Sequence, residues 1–324
     1  MLRELDERPR DLILSPWTAT REALLDDNRR AVVLGLTAVL LWSTAASAFK
    51  ISLRYTTPFM LLFCSSAVSL IVLLVWNLAR CRVSRADGSN GPRRDLIALA
   101  ALRGLLNPFL YYLVLFEAYY RLPAQIAMVV NYLWPVSLVL LSIPLLGQRI
   151  GAGRLLAILL SFCGVMVLAL GNSSSGSGTD MAAMALALAS TVIWALFWVL
   201  SVRNRGREAV KLLLGFVFGL CYLSVYGLVR GCFRLPPLEG ILGAAWVGVF
   251  EMGLTYLIWL RALSLAETSA RVGSLIYLTP FLSLLWIAVA TGEAVTPATV
   301  GGLLLVVGGI AAGARLDRVR VSVR

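Results

Sequence analysis

Ten long apolar stretches leave this chain few ways to fold. Each is close to the roughly 20 residues that a helix needs to cross a hydrocarbon core about 30 Å thick. Hydrophobic residues make up 59% of the 324 residues and charged residues only 14%, whereas a soluble domain carries about 25% charged residues. We therefore predict an all-α polytopic membrane protein with ten transmembrane helices, at 31–49, 57–79, 95–119, 122–146, 152–170, 181–202, 210–230, 241–263, 266–290 and 297–315.

The basic residues lie mostly on one side of these predicted helices. With the N-terminus in the cytoplasm, 23 Lys and Arg residues fall on that side and 5 on the other, and Arg103 lies within the third stretch. This bias follows the positive-inside rule. We therefore predict a multi-pass protein of the cell inner membrane, in which the N-terminal tail (1–30) and the C-terminal tail (316–324) are both cytoplasmic. The net charge of +12 is then a topology signal, and we expect no nucleic-acid partner.

Two short motifs indicate that the chain contains a duplication. Tyr-Leu-Trp-Pro at 132–135 and Tyr-Leu-Thr-Pro at 277–280 lie 145 residues apart, each inside an apolar stretch. Proline removes a helix hydrogen bond and clashes with the preceding turn, so a repeated proline suggests repeated architecture. Apolar sequences resemble each other easily, which leaves chance matching as the alternative. The same offset aligns three further pairs: Tyr111 with Tyr256, Gly147 with Gly292, and Gly164 with Gly309.

A Ser- and Gly-rich segment separates the two copies. Residues 171–180 contain no Lys or Arg, and their composition is typical of a flexible linker. Five predicted helices precede this linker, so we expect it to be periplasmic and the second half to enter the membrane in the opposite sense. The chain then divides into a first repeat (31–170), the linker and a second repeat (181–315). Two inverted five-helix repeats are a common basis for alternating access.

Several patterns required for catalysis or cofactor binding are missing. The chain has no histidine, which excludes histidine-based metal sites, catalytic triads and proton relays. Its five cysteines form no CxxC pair, so we expect no metal site and no cofactor. No GxxxxGK[ST] motif is present, which means that transport would draw its energy from gradients. The short loops offer no nucleophile–base set, and we predict that the chain is not an enzyme.

Glu251 is the strongest single candidate for a functional residue. It lies near the middle of the eighth predicted helix, where an ionised carboxylate costs at least ~2.5 kcal/mol on insertion scales. It must therefore face water, bind a proton or pair with a cation. One hypothesis is that it faces a cavity and either binds a substrate amine or carries a coupling proton. The alternative is a structural ion pair with Arg103, Arg261 or Arg271.

Other polar and aromatic side chains in the predicted helices are candidates for lining a substrate cavity. Asn131 and Trp134 are three residues apart and share a helix face. An amide supplies a donor and an acceptor for a zwitterion, and an indole supplies an apolar face and a donor. The alternatives are a structural hydrogen bond for the Asn and packing or interface roles for the aromatic residues. The other cavity candidates are Trp42, Tyr111, Tyr132, Trp194, Trp198, Tyr256 and Tyr277.

Two pairs of opposite charges are candidates for gates. Glu117 and Arg121 are four residues apart at the end of the third predicted helix, and Glu267 and Arg271 repeat this spacing near the start of the ninth. Such pairs either add a few tenths of a kcal/mol to a helix or close the two faces of a cavity in turn.

Prolines and glycines indicate bends and close packing. We expect helix bends at Pro135 and Pro280. The motifs Gly215-x-x-x-Gly219 and Gly309-x-x-x-Gly313 allow helices to approach closely, either within one chain or across a dimer face. A monomer or a weak homodimer is therefore expected.

Several of these motifs resemble the EamA family of the drug/metabolite transporter superfamily. The second half carries Arg-Ala-Leu at 261–263, Glu-Thr-Ser-Ala at 267–270 and Gly-Glu at 292–293, whereas the first half has Gln148 where Glu is usual. The segments Leu-Trp-Ser-Thr at 41–44 and Val-Asn-Tyr-Leu-Trp-Pro at 130–135 are most similar to the aromatic amino acid exporter branch.

The resemblance implies a central cavity and the export of amino acids or related metabolites, with aromatic or other apolar amino acids preferred. The expected partners are an amino acid substrate and the lipid bilayer, with protons as a further candidate. One alternative is transport of another small metabolite, such as a purine, a polyamine or a sugar conjugate. Another is a membrane scaffold or sensor that transports nothing.

Overall fold

The protein is helical in the part of the chain that the computed structural model describes, namely residues 16–81, 93–147, 151–173, 180–202, 208–267 and 272–322, and no strand occurs in these ranges. The α-helices are α1 (Pro16–Ser43), α2 (Ala45–Ser52), α3 (Pro58–Cys81), α4 (Arg93–Gly104), α5 (Tyr111–Arg121), α6 (Ala124–Asn131), α7 (Trp134–Leu146), α8 (Ala152–Ser173), α9 (Met181–Val202), α10 (Glu208–Arg230), α11 (Leu238–Trp246), α12 (Leu254–Leu265), α13 (Thr279–Thr291) and α14 (Pro297–Ser322).

The number of membrane-spanning helices comes within one of the ten predicted. Within the described ranges, nine helical stretches are long and apolar enough to cross a membrane. The fifth expected span corresponds to α8, whose apolar part runs from Leu155 to Leu168. The prediction of an all-α, multi-pass membrane protein built from two inverted five-helix repeats is therefore confirmed.

The third span of each half is interrupted by a wider, π-helical turn. In the first half, Leu105–Leu110 joins α4 to α5, and the backbone leaves helical geometry at Asn107, just before Pro108. In the second half, Val247–Glu251 joins α11 to a break at Gly253, where φ is −109° and ψ is −88°. Pro108 and Gly253 are 145 residues apart, which is the offset of the repeat. Two residues that disfavour helix thus break the same span in both halves.

The fourth span of each half is also interrupted, just before its proline. α6 ends at Asn131, and α7 begins three residues later at Trp134, with Pro135 in its first turn. A short 3₁₀ helix, Ser274–Leu278, leads into α13, which has Pro280 in its first turn. The first turn suits proline because its missing N–H has no partner within the helix there.

The ends of these two spans repeat as well. α7 and α13 both stop at a glycine in the left-handed conformation, with φ of 66° at Gly147 and 72° at Gly292. Glycine adopts this conformation without a Cβ penalty, which is why it commonly ends helices. Gly147 and Gly292 therefore match in the repeat because both end a helix in the left-handed backbone conformation.

Both GxxxG motifs pack inside the chain. α10 approaches α4 so closely that a Cβ on Gly104 would lie 2.4 Å from the Gly215 carbonyl oxygen and 2.9 Å from the Gly219 nitrogen. On α14, a Cβ on Gly309 would lie 2.5 Å from the Ala157 carbonyl oxygen of α8. These glycines therefore bring helices of one chain together.

α6 lies at the centre of the protein. All its residues from Ala124 to Val130 are buried, and it packs against α2, α5 and α8 of the first half and α9, α13 and α14 of the second. The break that follows Asn131 is consequently surrounded by protein. Interrupted backbone is tolerated at membrane depth only where it is buried in protein or lines a cavity.

Candidate functional site

A central cavity of about 360 Å³ lies between the two halves. This volume falls within the range of about 300–1,000 Å³ that is common for small-molecule sites. The interrupted third and fourth spans of both halves contribute to its wall, together with α1, α2 and α9. The structure brings nine of the ten predicted cavity residues together here, namely Trp42, Tyr111, Asn131, Tyr132, Trp134, Trp194, Trp198, Glu251 and Tyr256.

The tenth predicted residue, Tyr277, lies elsewhere. It lines a second cavity of about 190 Å³, together with Pro135 of α7, Ala157 of α8 and Gly309 of α14. The 3₁₀ geometry of residues 274–278 changes the direction of the side chains before α13. Ile276 consequently faces the central cavity, and the neighbouring tyrosine does not.

Glu251 ends the second π-helical turn and lines the central cavity. Its Oε1 accepts a hydrogen bond from the Tyr112 hydroxyl at 3.2 Å. Its Oε2 is buried and has no hydrogen-bond partner among the described residues. The Trp42 indole N–H donates to the Glu251 backbone carbonyl at 3.2 Å, which fixes the backbone of this turn against α1. One carboxylate oxygen beside the cavity is thus left for a ligand or a proton.

The alternative of a structural ion pair for Glu251 is wrong for two of the three arginines considered. Within the described ranges, Glu251 makes no salt bridge. Arg103 instead donates to the Ser201 carbonyl at 3.2 Å, and Arg261 is exposed. Arg271 lies outside the described residues. Arg103 and Arg261 do not pair with Glu251 because the π-helical turn directs the Glu251 side chain toward Tyr112 of the other half.

Asn131 joins three helices beside the cavity. Its Oδ1 accepts from the Tyr111 hydroxyl at 3.2 Å, and its Nδ2 donates to the Ser190 Oγ of α9 at 2.9 Å. An amide group has two N–H donors and two acceptor lone pairs. One of each therefore remains, so Asn131 combines the structural role with the capacity to contact a ligand.

Aromatic rings form most of the remaining wall. Trp194 stacks on Tyr111 with ring centroids 4.5 Å apart, and Trp198 stacks on Trp134 at 6.4 Å. Trp194 also contacts Tyr256 edge to face at 6.2 Å. Such offset and edge-to-face arrangements are the favourable ones for aromatic pairs. The Trp198 indole N–H is buried without a partner, which leaves a hydrogen-bond donor beside the cavity.

Sequence reasoning missed several residues of this wall. Tyr112, which was not among the predicted cavity residues, lines the cavity and donates a hydrogen bond to Glu251. Trp259 lines it too, with its ring centroid 5.5 Å from that of Trp42. The spacing of Trp259 three residues after Tyr256 places both on one helix face, and this signal could have identified it.

Basic side chains among the described residues make their contacts outside the central cavity. The Lys50 ammonium donates to the backbone carbonyls of Tyr119 and Leu122, at 3.0 and 2.6 Å. Arg103 and Lys211 line a separate small cavity of about 60 Å³. Glu251 is therefore the single charged residue among the described residues that line the central cavity.

Side chains of both halves hold the protein together at one end of the cavity, which we call the Glu293 end. The Glu293 carboxylate accepts from the backbone N–H groups of Ala124 at 2.9 Å and Gln125 at 3.4 Å, at the start of α6. Lys50 binds the last carbonyls of α5 at the same place. An anion at a helix N-terminus and a cation at a helix C-terminus are each favourable. These contacts attach α2 and the α13–α14 connection to the hairpin between α5 and α6.

Arg121 also lies at the Glu293 end, with a partner other than the predicted one. Its guanidinium forms a salt bridge with Asp180 at 2.7 Å, and the pair with Glu117 is not formed. The backbone N–H of Ala183, together with Arg121, holds the pKa of the Asp180 carboxyl below its usual range. The salt bridge ties the end of α5 to the start of α9.

A different contact lies at the opposite end, beyond Leu263. The Asn28 amide of α1 donates to Glu267 Oε2 at 2.9 Å, and the Glu267 backbone N–H donates to Asn28 Oδ1 at 3.3 Å. The other member of the second predicted gate pair, Arg271, is not among the described residues. We call this the Glu267 end.

Comparison with known proteins agrees with the fold and with the repeat. The sequence profile described as the EamA-like transporter family matches residues 29–170 and 181–312. The chain is 28% identical over 305 residues to "Aromatic amino acid exporter YddG" of Ancylobacter novellus, covering 89% of this chain and 98% of that protein. It is 24% identical over 294 residues to "Uncharacterized transporter YvbV" of Bacillus subtilis, covering 87% and 90%. A solved crystal structure of a protein is similar with a TM-score of 0.61 at 28% identity, covering 89% of this chain and 97% of that one.

Proposed function

This chain belongs to the EamA-like transporter family, and on that premise we propose that it is a secondary transporter of the cell inner membrane that exports amino acids. Aromatic or other apolar amino acids are the preferred substrates. The name of the similar protein from Ancylobacter novellus, an aromatic amino acid exporter, supports this choice. The aromatic wall of the cavity supports it independently.

One observation carries the proposal: a single cavity between the halves combines one carboxylate, one amide and an aromatic wall. Glu251 Oε2, which has no partner, accepts from the ammonium group of the substrate. The spare N–H of Asn131 and the Trp198 indole N–H are the donors available for its carboxylate. An aromatic side chain lies against Trp194, Trp134 and their neighbours. Each of these polar contacts is single, so binding is weak enough to allow release.

Alternating access follows from the interrupted helices. The substrate site lies where the third and fourth spans of both halves are broken, and inverted-repeat transporters exchange access by moving one set of helices against the other. The contacts at the Glu293 end close the periplasmic side, with the Arg121–Asp180 salt bridge as one component. The Asn28–Glu267 contact belongs to the cytoplasmic closure. This orientation places both termini in the cytoplasm, as the distribution of basic residues favours.

Glu251 is also the proposed site of proton coupling. Tyr112 donates to one of its oxygens, and the side chains of Trp42, Tyr111 and Tyr256 surround the same part of the cavity. None of these neighbours is basic, so a proton and a substrate amine would compete for Oε2. Glu251→Gln should transport without response to a pH gradient, and Glu239→Gln, an exposed site at the start of α11, should respond as the wild type does. A pH response that survives in Glu251→Gln would remove the coupling role.

The proposal is tested by counterflow in liposomes that contain the purified full-length protein. Vesicles loaded with unlabelled tryptophan, phenylalanine, leucine or threonine are diluted into labelled tryptophan. Loading with aromatic amino acids should give the fastest uptake, and threonine the slowest. A purine, a polyamine and a sugar conjugate complete the panel, each tested against its own labelled form. Counterflow with one of these, and with no amino acid, would replace the proposed substrate class.

A further inference from the structure

The central cavity has an unbalanced set of charges. Glu251 is the single acidic residue among its described lining residues, and no lysine or arginine accompanies it. Outside the cavity, the described basic groups of Lys50 and Arg103 donate to backbone carbonyls, Lys50 at the end of α5 and Arg103 at Ser201. Among the described lining residues, a zwitterion would therefore find a partner of opposite charge for its ammonium group and none for its carboxylate.

The neutral hydrogen-bond donors in the cavity compensate only slightly for the missing cationic partner of a substrate carboxylate. The hydroxyl of Tyr112 already donates to Glu251, and that of Tyr111 donates to Asn131. One N–H of Asn131 is used by Ser190. A substrate carboxylate would consequently lose its hydration for one or two neutral hydrogen bonds and would lie in the same cavity as the Glu251 carboxylate. Burying an anion without a paired cation is unfavourable.

A cation meets the opposite situation. Glu251 Oε2 is buried without a partner, so an ammonium group adds a hydrogen bond and neutralises the charge. The rings of Trp42, Trp194 and Tyr256 line the same cavity as Glu251, and Tyr256 contacts both indoles. Aromatic faces attract cations, and tryptophan does so most strongly.

From this arrangement we infer that the cavity recognises a monocationic amine on an aromatic or apolar body and does not require a carboxylate. Decarboxylated aromatic amines are therefore ligands at least as good as the parent amino acids, and aromatic acids without an amine are poor ones. This inference rests on the proposed function in one respect, namely that the cavity beside Glu251 is the transport site.

The test uses three ligands that share one indole ring: tryptamine, tryptophan and indole-3-propionate. Binding to the purified wild-type protein is measured by calorimetry, and each ligand is also tested as a competitor of labelled tryptophan in counterflow. Tryptamine should bind at least as tightly as tryptophan. Indole-3-propionate should bind at least about tenfold more weakly than tryptophan, because it lacks a hydrogen bond to a charged group. The reverse order, or equal binding of tryptamine and indole-3-propionate, would overturn the inference.

Two variants test whether Glu251 causes the preference for an amine. Glu251→Gln should reduce the affinity for tryptamine by about tenfold or more. The difference in affinity between tryptamine and indole-3-propionate should therefore become smaller. Glu239→Gln should keep the wild-type order. If Glu251→Gln does not fold, the ligand series on the wild type still decides the matter.

Failure of the inference can be told apart from failure of the proposed function. Counterflow of tryptophan with no competition from tryptamine would refute the inference and leave amino acid export standing. Binding of tryptamine with no counterflow of any amino acid would refute the export of amino acids and leave the inference standing.

Discussion

The Tyr112 hydroxyl donates a hydrogen bond of 3.2 Å to Glu251 Oε1 and so joins the two halves of the protein. Tyr112 lies in the first turn of α5, directly after the π-helical turn of the first half, and Glu251 ends the π-helical turn of the second half. The interruptions of two equivalent spans therefore meet beside the cavity. A ligand that binds Glu251 contacts the point where the halves are connected.

Removing this hydrogen bond should weaken the connection. Tyr112→Phe keeps the ring and deletes the donor, which should cost about 1 kcal/mol, as the loss of a typical intramolecular hydrogen bond does. The midpoint of thermal unfolding in detergent should fall accordingly. In the Glu251→Gln background the same substitution should lower the midpoint by less than half as much, since coupled residues are not additive. Fully additive effects would show that the bond contributes nothing of its own.

The aromatic wall should set the preference for aromatic substrates. Trp194 stacks on Tyr111 and contacts Tyr256, and Trp194→Leu replaces its π face by a smaller apolar group. We expect the KM for tryptophan to rise roughly tenfold and that for leucine to rise less, because stacking adds to simple burial. Trp286, which lies on α13 outside the cavity and is 41% exposed, supplies the control Trp286→Leu. Equal losses for tryptophan and leucine would assign Trp194 a purely structural role.

The contact between Glu293 and α6 should hold the Glu293 end closed. In a background without cysteines, Met128→Cys places a thiol in the cavity wall, where Met128 is buried. Glu293→Ala removes the cap on the N–H groups of Ala124 and Gln125, so this thiol should react several-fold faster with a membrane-impermeant maleimide added on that side. Glu117→Ala is the matched control, since Glu117 makes no hydrogen bond or ion pair within the described ranges. An unchanged labelling rate in Glu293→Ala would exclude a gating role for this contact.

Close helix packing predicts a contrast between two glycines. A Cβ on Gly104 would lie 2.4 Å from the Gly215 carbonyl oxygen, whereas a Cβ on Gly301 would meet no atom within 4 Å. Gly104→Ala should therefore cost about 1–3 kcal/mol of stability through overpacking. Gly301→Ala lies within α14 and should be neutral or slightly stabilising, because alanine is the better helix former. Thermal unfolding of both variants measures the difference, and equal midpoints would show that α4 and α10 can separate at little cost.

Much of this architecture could be predicted from the sequence because it depends on one-dimensional signals. The lengths of the apolar stretches determine the number of spans, and the offset of 145 residues relates Pro135 to Pro280 and Gly147 to Gly292. The same offset relates Pro108 to Gly253, and this overlooked pair marks the two interrupted third spans. The resemblance to the EamA family is confirmed by a match over both halves.

The partners of charged groups were not predictable in the same way. Helical spacing favours a pair between Glu117 and Arg121, but Arg121 binds Asp180, which comes 59 residues later and lies close only in the folded protein. For Glu251, the arginines considered were close in sequence or lay in the membrane, and the actual partner is a tyrosine of the other half. A π-helical turn changes the direction of the side chains that follow it, and helical periodicity does not reveal this.

The position of a bound substrate tests the central claim most directly. 5-Bromotryptophan in crystals of the wild-type protein gives an anomalous bromine signal that locates the ring without a search of the electron density. We predict one peak within the aromatic wall formed by Trp134, Trp194 and Trp198, with the ammonium group toward Glu251. A peak in the cavity lined by Tyr277 and Gly309, with none in the central cavity, would contradict the assignment of the transport site.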